Sequence, residues 1–341
     1  MTAPAASTGA AVVDSRAGAP HTAALVTDVG RDQIIATEPV IRRHIRRTPV
    51  VEVEGRDFGI AALDGVRLIF KLELTQRGGS FKARGAFANL LLRPVPPVGV
   101  VAASGGNHGV AVAYAARELG IPARIYLPTI STPAKVERIR QSGAELVFAG
   151  ELYDAALAAS EDWAASSGAL RVHAFDQDET MMGAGTLGLE LEDQIGLPDA
   201  VLAAVGGGGL IGGTAAWFGG RTRVIGVEPE LAPTLAHALA AGQPVDAPAG
   251  GIAADSLAPR RIGERVFPIA RRFVESVLVT DDAIAAAQRA LWATLRIAAE
   301  PGGVTALAAV LSGRFTAPPG SRIAIVVSGG NTSAVQFPVH P

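Results

Sequence analysis

The sequence predicts an α/β protein made of two doubly wound, open-sheet lobes with a cleft between them. Three observations predict it. Short apolar strands alternate with helical stretches along most of the chain, which implies parallel sheets covered by helices on both faces. Four strand–helix units crowd between about residues 96 and 175, enough for a smaller sheet of their own. The 40 glycines cluster where strands turn into helices, the edge at which open α/β sheets bind ligands. The expected division is a tail over 1–28, a large domain from 29–95 with 176–341, and a small domain over 96–175.

In chain order, residues 1–28 are rich in Ala, Ser, Thr and Pro. They lack a basic stretch followed by an apolar core, so they read as a disordered tail and not as a signal peptide. Residues 30–47 read as a helix interrupted or bounded near Pro39. VGVVAAS (98–104) is a buried strand, and GVAVAYAARELG (109–120) an apolar helix closed by Gly120. ARIYLP (123–128) is a strand, and 132–143 a helix with Thr132 as N-cap and Pro133 at its first position. AELVFAG (144–150) is a strand, 152–168 a helix, and LRVHAF (170–175) a strand. The pattern returns with strand 199–206, helix 210–220, strand 223–229, helices 281–299 and 303–313, and the strand RIAIVVSGG (322–330).

Composition narrows the function. A chain of 341 residues, 49% hydrophobic, can bury a substantial core. A net charge of −2 argues against a nucleic-acid or polybasic membrane surface. With no cysteine, disulfides, thiolate metal sites and cysteine nucleophiles are excluded. The most apolar window, 201–220, is too glycine-rich for a bilayer span. The expected compartment is the cytoplasm, with no nucleic-acid or membrane partner.

Four motifs carry chemistry. GGSFKARGA (78–86) sets Lys82 between an aromatic and a run of small residues, an unusual place for a strongly hydrated amine. VGGGGLIGG (205–213) follows a strand and opens a helix, where successive N–H groups converge on an anion. Its Gly207, Gly209 and Gly212 also satisfy G-x-G-x-x-G, and Glu228 ends the next strand where a ribose-binding acid would sit, so a dinucleotide site competes. SGGNHG (104–109) offers N–H groups, the Ser104 hydroxyl and the Asn107 amide to a carboxylate or ring oxygen. A lone His108 there is more often structural than catalytic. SGGN (328–331) adds a hydroxyl, Ser328, at a third strand end. A dinucleotide site has no need of Lys82, whereas a Schiff base to pyridoxal phosphate needs it, burial leaving its amine neutral and nucleophilic.

The ordered set SFKARGA, SGGNHG, GGGGLIGG, EPGG and SGGN resembles the serine/threonine dehydratase and serine racemase family, of the second fold type of pyridoxal-phosphate enzymes, like the tryptophan synthase β-subunit. The similarity runs from about Thr48 to the C-terminus. The resemblance implies that Lys82 is the Schiff-base lysine and that Phe81 lies beside the cofactor ring. It implies that Asn107 bonds the ring hydroxyl, that Gly206, Gly207, Gly208, Gly209 and Leu210 wrap the phosphate, and that Ser328 faces the pyridine nitrogen. Glu300 of EPGG corresponds to an acid near the cofactor. Ser104, Gly105, Gly106, Asn107 and His108 would hold the substrate carboxylate. The family is usually dimeric.

The activity so implied is dehydration and deamination of a hydroxy amino acid such as L-threonine or L-serine to a 2-oxo acid and ammonia, Lys82 taking the α-proton as general base. A hydroxyl at the pyridine nitrogen favours prompt loss of the β-hydroxyl over transamination. Alternatives within the family are 3-hydroxyaspartate dehydration, for which Arg260 or Arg261 would supply a second carboxylate partner, and serine racemisation. A solvated basic pair is the preferred reading of the two arginines. More remote are a dinucleotide-dependent oxidoreductase and a non-catalytic pyridoxal-phosphate binder. Metal-binding relatives use a glutamate, a backbone carbonyl and an aspartate; here Glu228 and the Ala232 carbonyl meet Thr234 at the third position, so no tight metal is expected.

Overall fold

The computed structural model describes residues 29–332, apart from 130, 132, 152 and 258. The expected tail over 1–28 and the N-cap assigned to Thr132 lie outside the described residues. Among the described residues ten strands form two sheets: β1 Val50–Glu54, β2 Arg67–Lys71, β3 Val100–Ala103, β4 Ala123–Leu127, β5 Glu145–Phe148, β6 Leu170–Arg171, β7 Ala200–Ala204, β8 Arg223–Pro229, β9 Val274–Val279 and β10 Arg322–Val326. The larger sheet runs β1-β2-β10-β7-β8-β9 and the smaller β5-β4-β3-β6. Every pairing is parallel except β1 with β2.

Strand periodicity divides the large sheet's side chains between two cores. Phe70, Leu202, Ile225 and Ile325 join the core shared with the helices Asp281–Leu295 and Pro301–Leu311. Val201, Ala203, Val224 and Ala324 face the helices Asp178–Ile195 and Gly209–Phe218. The small sheet is sandwiched in the same way. Val100, Ala102 and Ile125 pack towards the helix Asn107–Glu118, and Val101, Ala103 and Tyr126 towards the helix Tyr153–Ser167. The first of these small cores also takes in Ile41, Ile45, Ala83, Phe87 and Leu90, so the helix Lys82–Leu92 packs against the helix Asn107–Glu118 that covers the small sheet.

Two of the elements read from the sequence differ from that reading. The first helix, Arg31–Ile41, runs through Pro39. The proline lies in the last turn, and the carbonyl it leaves without an amide partner belongs to Ile35, which is exposed to water. The strand expected over 170–175 pairs only through Leu170 and Arg171. Its continuation turns at His173, whose ring binds the following backbone, and so leaves the sheet.

A buried ionic cluster anchors the helix that carries Lys82. Arg84 makes two bonds to Glu73, of 2.7 and 2.8 Å, and reaches Glu190 at 3.1 Å. Lys71 donates to the same Glu190 at 2.5 Å and to Gln194 at 2.8 Å. All four charged side chains are sealed from water. Burial alone would raise the Glu190 carboxyl, but Arg84 and Lys71 beside it hold it at about 2. Each charge is therefore paired, as burial requires.

Candidate active site

Both sheets reverse strand order where a crevice opens. In the large sheet the chain steps outward from β7 to β8 and β9, then returns to place β10 between β7 and β2. In the small sheet it steps from β3 to β4 and β5, then returns to place β6 on the other side of β3. Ligands bind outside the carboxyl ends of strands at such switch points. The loops at all four ends, after β7, β10, β3 and β6, line one cleft of about 830 Å³, together with Phe81 and Lys82.

The loop after β7 points its donors into this cleft. The carbonyl of Gly206 accepts from the Thr234 hydroxyl at 2.6 Å, that of Gly207 from the Gly263 amide at 3.0 Å, and that of Gly208 from Gly212 at 2.8 Å. Among the described residues, the N–H groups of Gly206 to Leu210 meet no protein acceptor. Tying the carbonyls back leaves a row of free N–H groups at the N-terminus of the helix Gly209–Phe218, a site with the chemistry of a phosphate cradle. Gly208 holds φ +93°, which favours glycine, and a Cβ on Gly207 would lie 2.3 Å from the Phe175 ring.

Lys82 opens its helix and lines the same cleft. Its Nζ donates to the Ala174 carbonyl at 2.7 Å and lies 5.0 Å from the centre of the Phe81 ring. Burial pushes the amine down to about 8, so a substantial neutral fraction is present near neutral pH. The loops 78–81 and 328–330 are laced together. Phe81 N–H donates to Ser328 O at 3.1 Å, and Gly330 N–H to Gly79 O at 3.0 Å. This brings Ser328 into the same cleft as Lys82. The Ser328 hydroxyl has only a long contact, 3.4 Å, to Gly302 O.

The loop after β3 is more engaged than its sequence suggests. Asn107 Nδ2 donates to Glu300 Oε1 at 2.5 Å, and its Oδ1 accepts from Asn331 at 2.7 Å. The Ser104 hydroxyl accepts from Gly106 N–H at 3.2 Å, turned into its own loop. His108 is buried and donates from Nε2 to Val172 O at 3.0 Å. Burial and the nearby Lys82 push it down to about 3, so it is a neutral structural histidine. The donors this loop keeps for a ligand lie at the start of the helix Asn107–Glu118.

Glu228 is no ribose acid. It is sealed from water, and its carboxylate accepts Leu235 N–H at 2.6 Å and Ala236 N–H at 2.9 Å, capping the helix Thr234–Ala241. Arg261 lines the cleft but donates to Pro244 O at 2.6 Å and lies 3.5 Å from both Asp246 and Glu264. Sequence reasoning missed Ser131, Tyr153, His173 and Phe175, which also line the cleft. The available signal was positional: His173 and Phe175 follow the strand that completes the second switch point.

The comparisons with known proteins agree with this geometry. Residues 41–329 match the family model described as pyridoxal-phosphate dependent enzyme. The chain belongs to that family. It is 38% identical over 306 residues to phenylserine dehydratase of Ralstonia pickettii, covering 88% of this chain and 92% of the relative. It is also 38% identical over 299 residues to L-threonine ammonia-lyase of Geobacter sulfurreducens, covering 85% and 73%. Among solved structures, maize serine racemase superposes with a TM-score of 0.83 at 32% identity, over 90% of this chain and 94% of that one. The T.th. threonine deaminase superposes at 0.82 with 36% identity, over 90% and 100%. The architecture is therefore that of fold type II pyridoxal-phosphate enzymes, and the cofactor is pyridoxal 5′-phosphate. The free N–H row and the half-buried amine fit its phosphate and its aldehyde.

Proposed function

We propose that the protein is an ammonia-lyase that eliminates water from a 3-hydroxy amino acid, such as L-threonine or L-serine, to give a 2-oxo acid and ammonia. The observation that carries the reading is one cleft lined by both Lys82 and the free N–H groups of Gly206–Leu210. In this reading Lys82 holds the cofactor aldehyde, the glycine loop its phosphate, Ser328 its ring nitrogen, and Asn107 with Glu300 its ring hydroxyl side. Pyridoxal phosphate supplies an electron sink for the α-carbon of an amino acid. Lys82 Nζ would accept the α-proton as general base, and the helix start at Asn107 and His108 would hold the substrate carboxylate. The relatives support this class, among them a phenylserine dehydratase and two L-threonine ammonia-lyases by name.

For the acidic alternative, a 3-hydroxyaspartate dehydratase, Arg261 is committed to Pro244, Asp246 and Glu264, which leaves Arg260, also lining the cleft, as the arginine that would meet a second carboxylate. The reading also takes the molecule as cytoplasmic and, as the family resemblance implies, as a homodimer, for which light scattering is the check. Among the described residues no helix is long and apolar enough to cross a membrane.

The deciding experiment measures ammonia and 2-oxo acid from L-threonine, L-serine, 3-phenylserine and 3-hydroxyaspartate, for the wild type and for Lys82→Ala. The wild type is expected to turn over at least one of the first three. Lys82→Ala is expected to lose both turnover and borohydride-fixed cofactor. Activity retained within about tenfold, a loss of only ~1.4 kcal/mol, would sink the assignment of Lys82.

A further inference from the structure

His173 is held more tightly than a bystander needs to be. Its backbone N–H donates to Gln177 Oε1 at 2.6 Å, and its carbonyl accepts from the Thr180 hydroxyl at 3.0 Å. Its ring Nδ1 accepts from the Asp176 amide at 2.9 Å and, more weakly, from the Phe175 amide at 3.4 Å. The ring stands edge-on to Phe175, 4.6 Å between centroids. A nitrogen that accepts an amide proton carries none of its own, so the imidazole proton is on Nε2. Among the described residues Nε2–H meets no protein acceptor, and His173 lines the cleft beside Ala174, whose carbonyl holds Lys82. The rest of the ring is spoken for. What remains is one N–H donor, of fixed tautomer and fixed aim, one residue from the contact of the lysine that moves the α-proton.

We infer that His173 is a catalytic residue whose Nε2–H hydrogen-bonds to the β-hydroxyl oxygen of the substrate as the Cβ–O bond breaks. This rests on the elimination reading. In that reaction the α-proton passes to Lys82 Nζ, the electron pair from Cα forms the Cα–Cβ double bond, and the Cβ–O pair leaves with oxygen. Nε2–H stabilises the negative charge growing on that oxygen and keeps its proton. The proton that completes water comes from the Lys82 ammonium, so the amine returns neutral and nothing is oxidised or reduced. Burial pushes the imidazole down to about 4, which keeps the ring a neutral donor across the physiological range.

Two substitutions separate this role from a structural one. In His173→Asn the amide oxygen still accepts from Asp176 N–H, but no donor reaches the position of Nε2. In His173→Gln a donor sits near that position while the cap on Asp176 is lost. The expected result is a kcat for L-threonine or L-serine at least about 10²-fold lower in His173→Asn, with the bound-cofactor absorbance unchanged. Partial recovery, at least about tenfold, is expected in His173→Gln. Elimination of chloride from β-chloro-L-alanine, whose leaving group needs no such donor, should stay within about threefold of wild type in His173→Asn. Nitrogen-15 NMR of labelled histidine should show the Nε2–H tautomer in the resting protein. A proton on Nδ1, a His173→Asn enzyme equal to wild type on hydroxy substrates, or parallel losses on chloroalanine would each overturn the inference. A wild type that releases no ammonia from any hydroxy amino acid would instead remove the function proposed above, while the tautomer measurement would still read the geometry.

Discussion

The Thr234 hydroxyl donates to the Gly206 carbonyl at 2.6 Å, with Glu228 Oε1 3.1 Å away. A single side chain thus fixes the first carbonyl of the glycine loop and touches the carboxyl that caps the next helix. The pairing ties the glycine loop to the start of the helix Thr234–Ala241.

Thr234→Val is therefore expected to free the Gly206 carbonyl and loosen the N–H row. A buried acceptor left without a donor costs about 1–3 kcal/mol, and we expect cofactor affinity to fall about tenfold. Titration of cofactor-free protein with pyridoxal phosphate, followed by absorbance, reads this. In parallel, chelator should leave wild-type activity unchanged. Wild-type affinity in the valine variant, or activity lost to chelator and restored by magnesium, would count against the assignment.

Glu228 gives a pH dependence with a definite sign. Burial pushes its carboxyl up to about 7, although the bonds from Leu235, Ala236, Thr234 and Ser276 pull the other way. Below its unfolded value of 4.5 both states carry the proton. As pH rises towards 7 the unfolded chain ionises first, so this contribution to stability is present at low pH and lost as pH climbs through about 7. Urea unfolding at pH 5 and pH 8 should show Glu228→Gln losing less stability over that interval than wild type, by up to about 3 kcal/mol. Equal slopes for the two proteins would show that Glu228 keeps an ordinary carboxyl.

The buried cluster behind Lys82 predicts a stability effect with a specific partner dependence. Glu190→Gln leaves Lys71 and Arg84 sharing Glu73 as their one buried carboxylate. Breaking a buried pair by removing one partner costs about 3–5 kcal/mol, and thermal unfolding should fall accordingly. The double variant Glu190→Gln with Lys71→Met should recover part of the loss. A single variant as stable as wild type would mean that water already compensates the cations left around position 190, among them Arg42, 2.9 Å from Glu190.

Much of this was legible in the sequence, for physical reasons that differ by element. RVIGVEP over 223–229 is observed as β8 with the same bounds, because an apolar run entered from the Gly219–Gly220 turn and closed by Pro229 has few other ways to be buried. The glycine loop was legible as an anion cradle because free N–H groups at a strand-to-helix turn are a local property. The antiparallel β1 was not read, since VVEVE lies at a sheet edge and carries only a weak alternation. Glu228 misled because sequence spacing shows that an acid ends a strand but not that its oxygens are occupied by the next helix. His173 was invisible for a related reason: its role depends on β6 returning beside β3, which is set by tertiary pairing.

The last prediction concerns which face of the α-carbon can receive a proton. Racemisation needs a second donor opposite Lys82, and in racemases of this family a serine directly before Gly-Asn-His supplies it. That position here is Gly105, and the neighbouring Ser104 hydroxyl is turned away, accepting from Gly106 N–H. A Cβ built on Gly105 would lie 3.2 Å from Ser131 Oγ and 3.5 Å from Leu127 Cδ2, so a serine fits once the Ser131 side chain shifts by a few tenths of an ångström. The wild type should therefore form pyruvate from L-serine with little D-serine, since losing a positioned acid typically costs about 10²- to 10⁴-fold. Gly105→Ser should raise D-serine relative to pyruvate by at least about tenfold, read by chiral chromatography against keto-acid release. D-serine at a rate comparable to pyruvate in the wild type would refute the argument. Ser131→Ala would then ask whether the hydroxyl nearest the missing side chain returns the proton in its place.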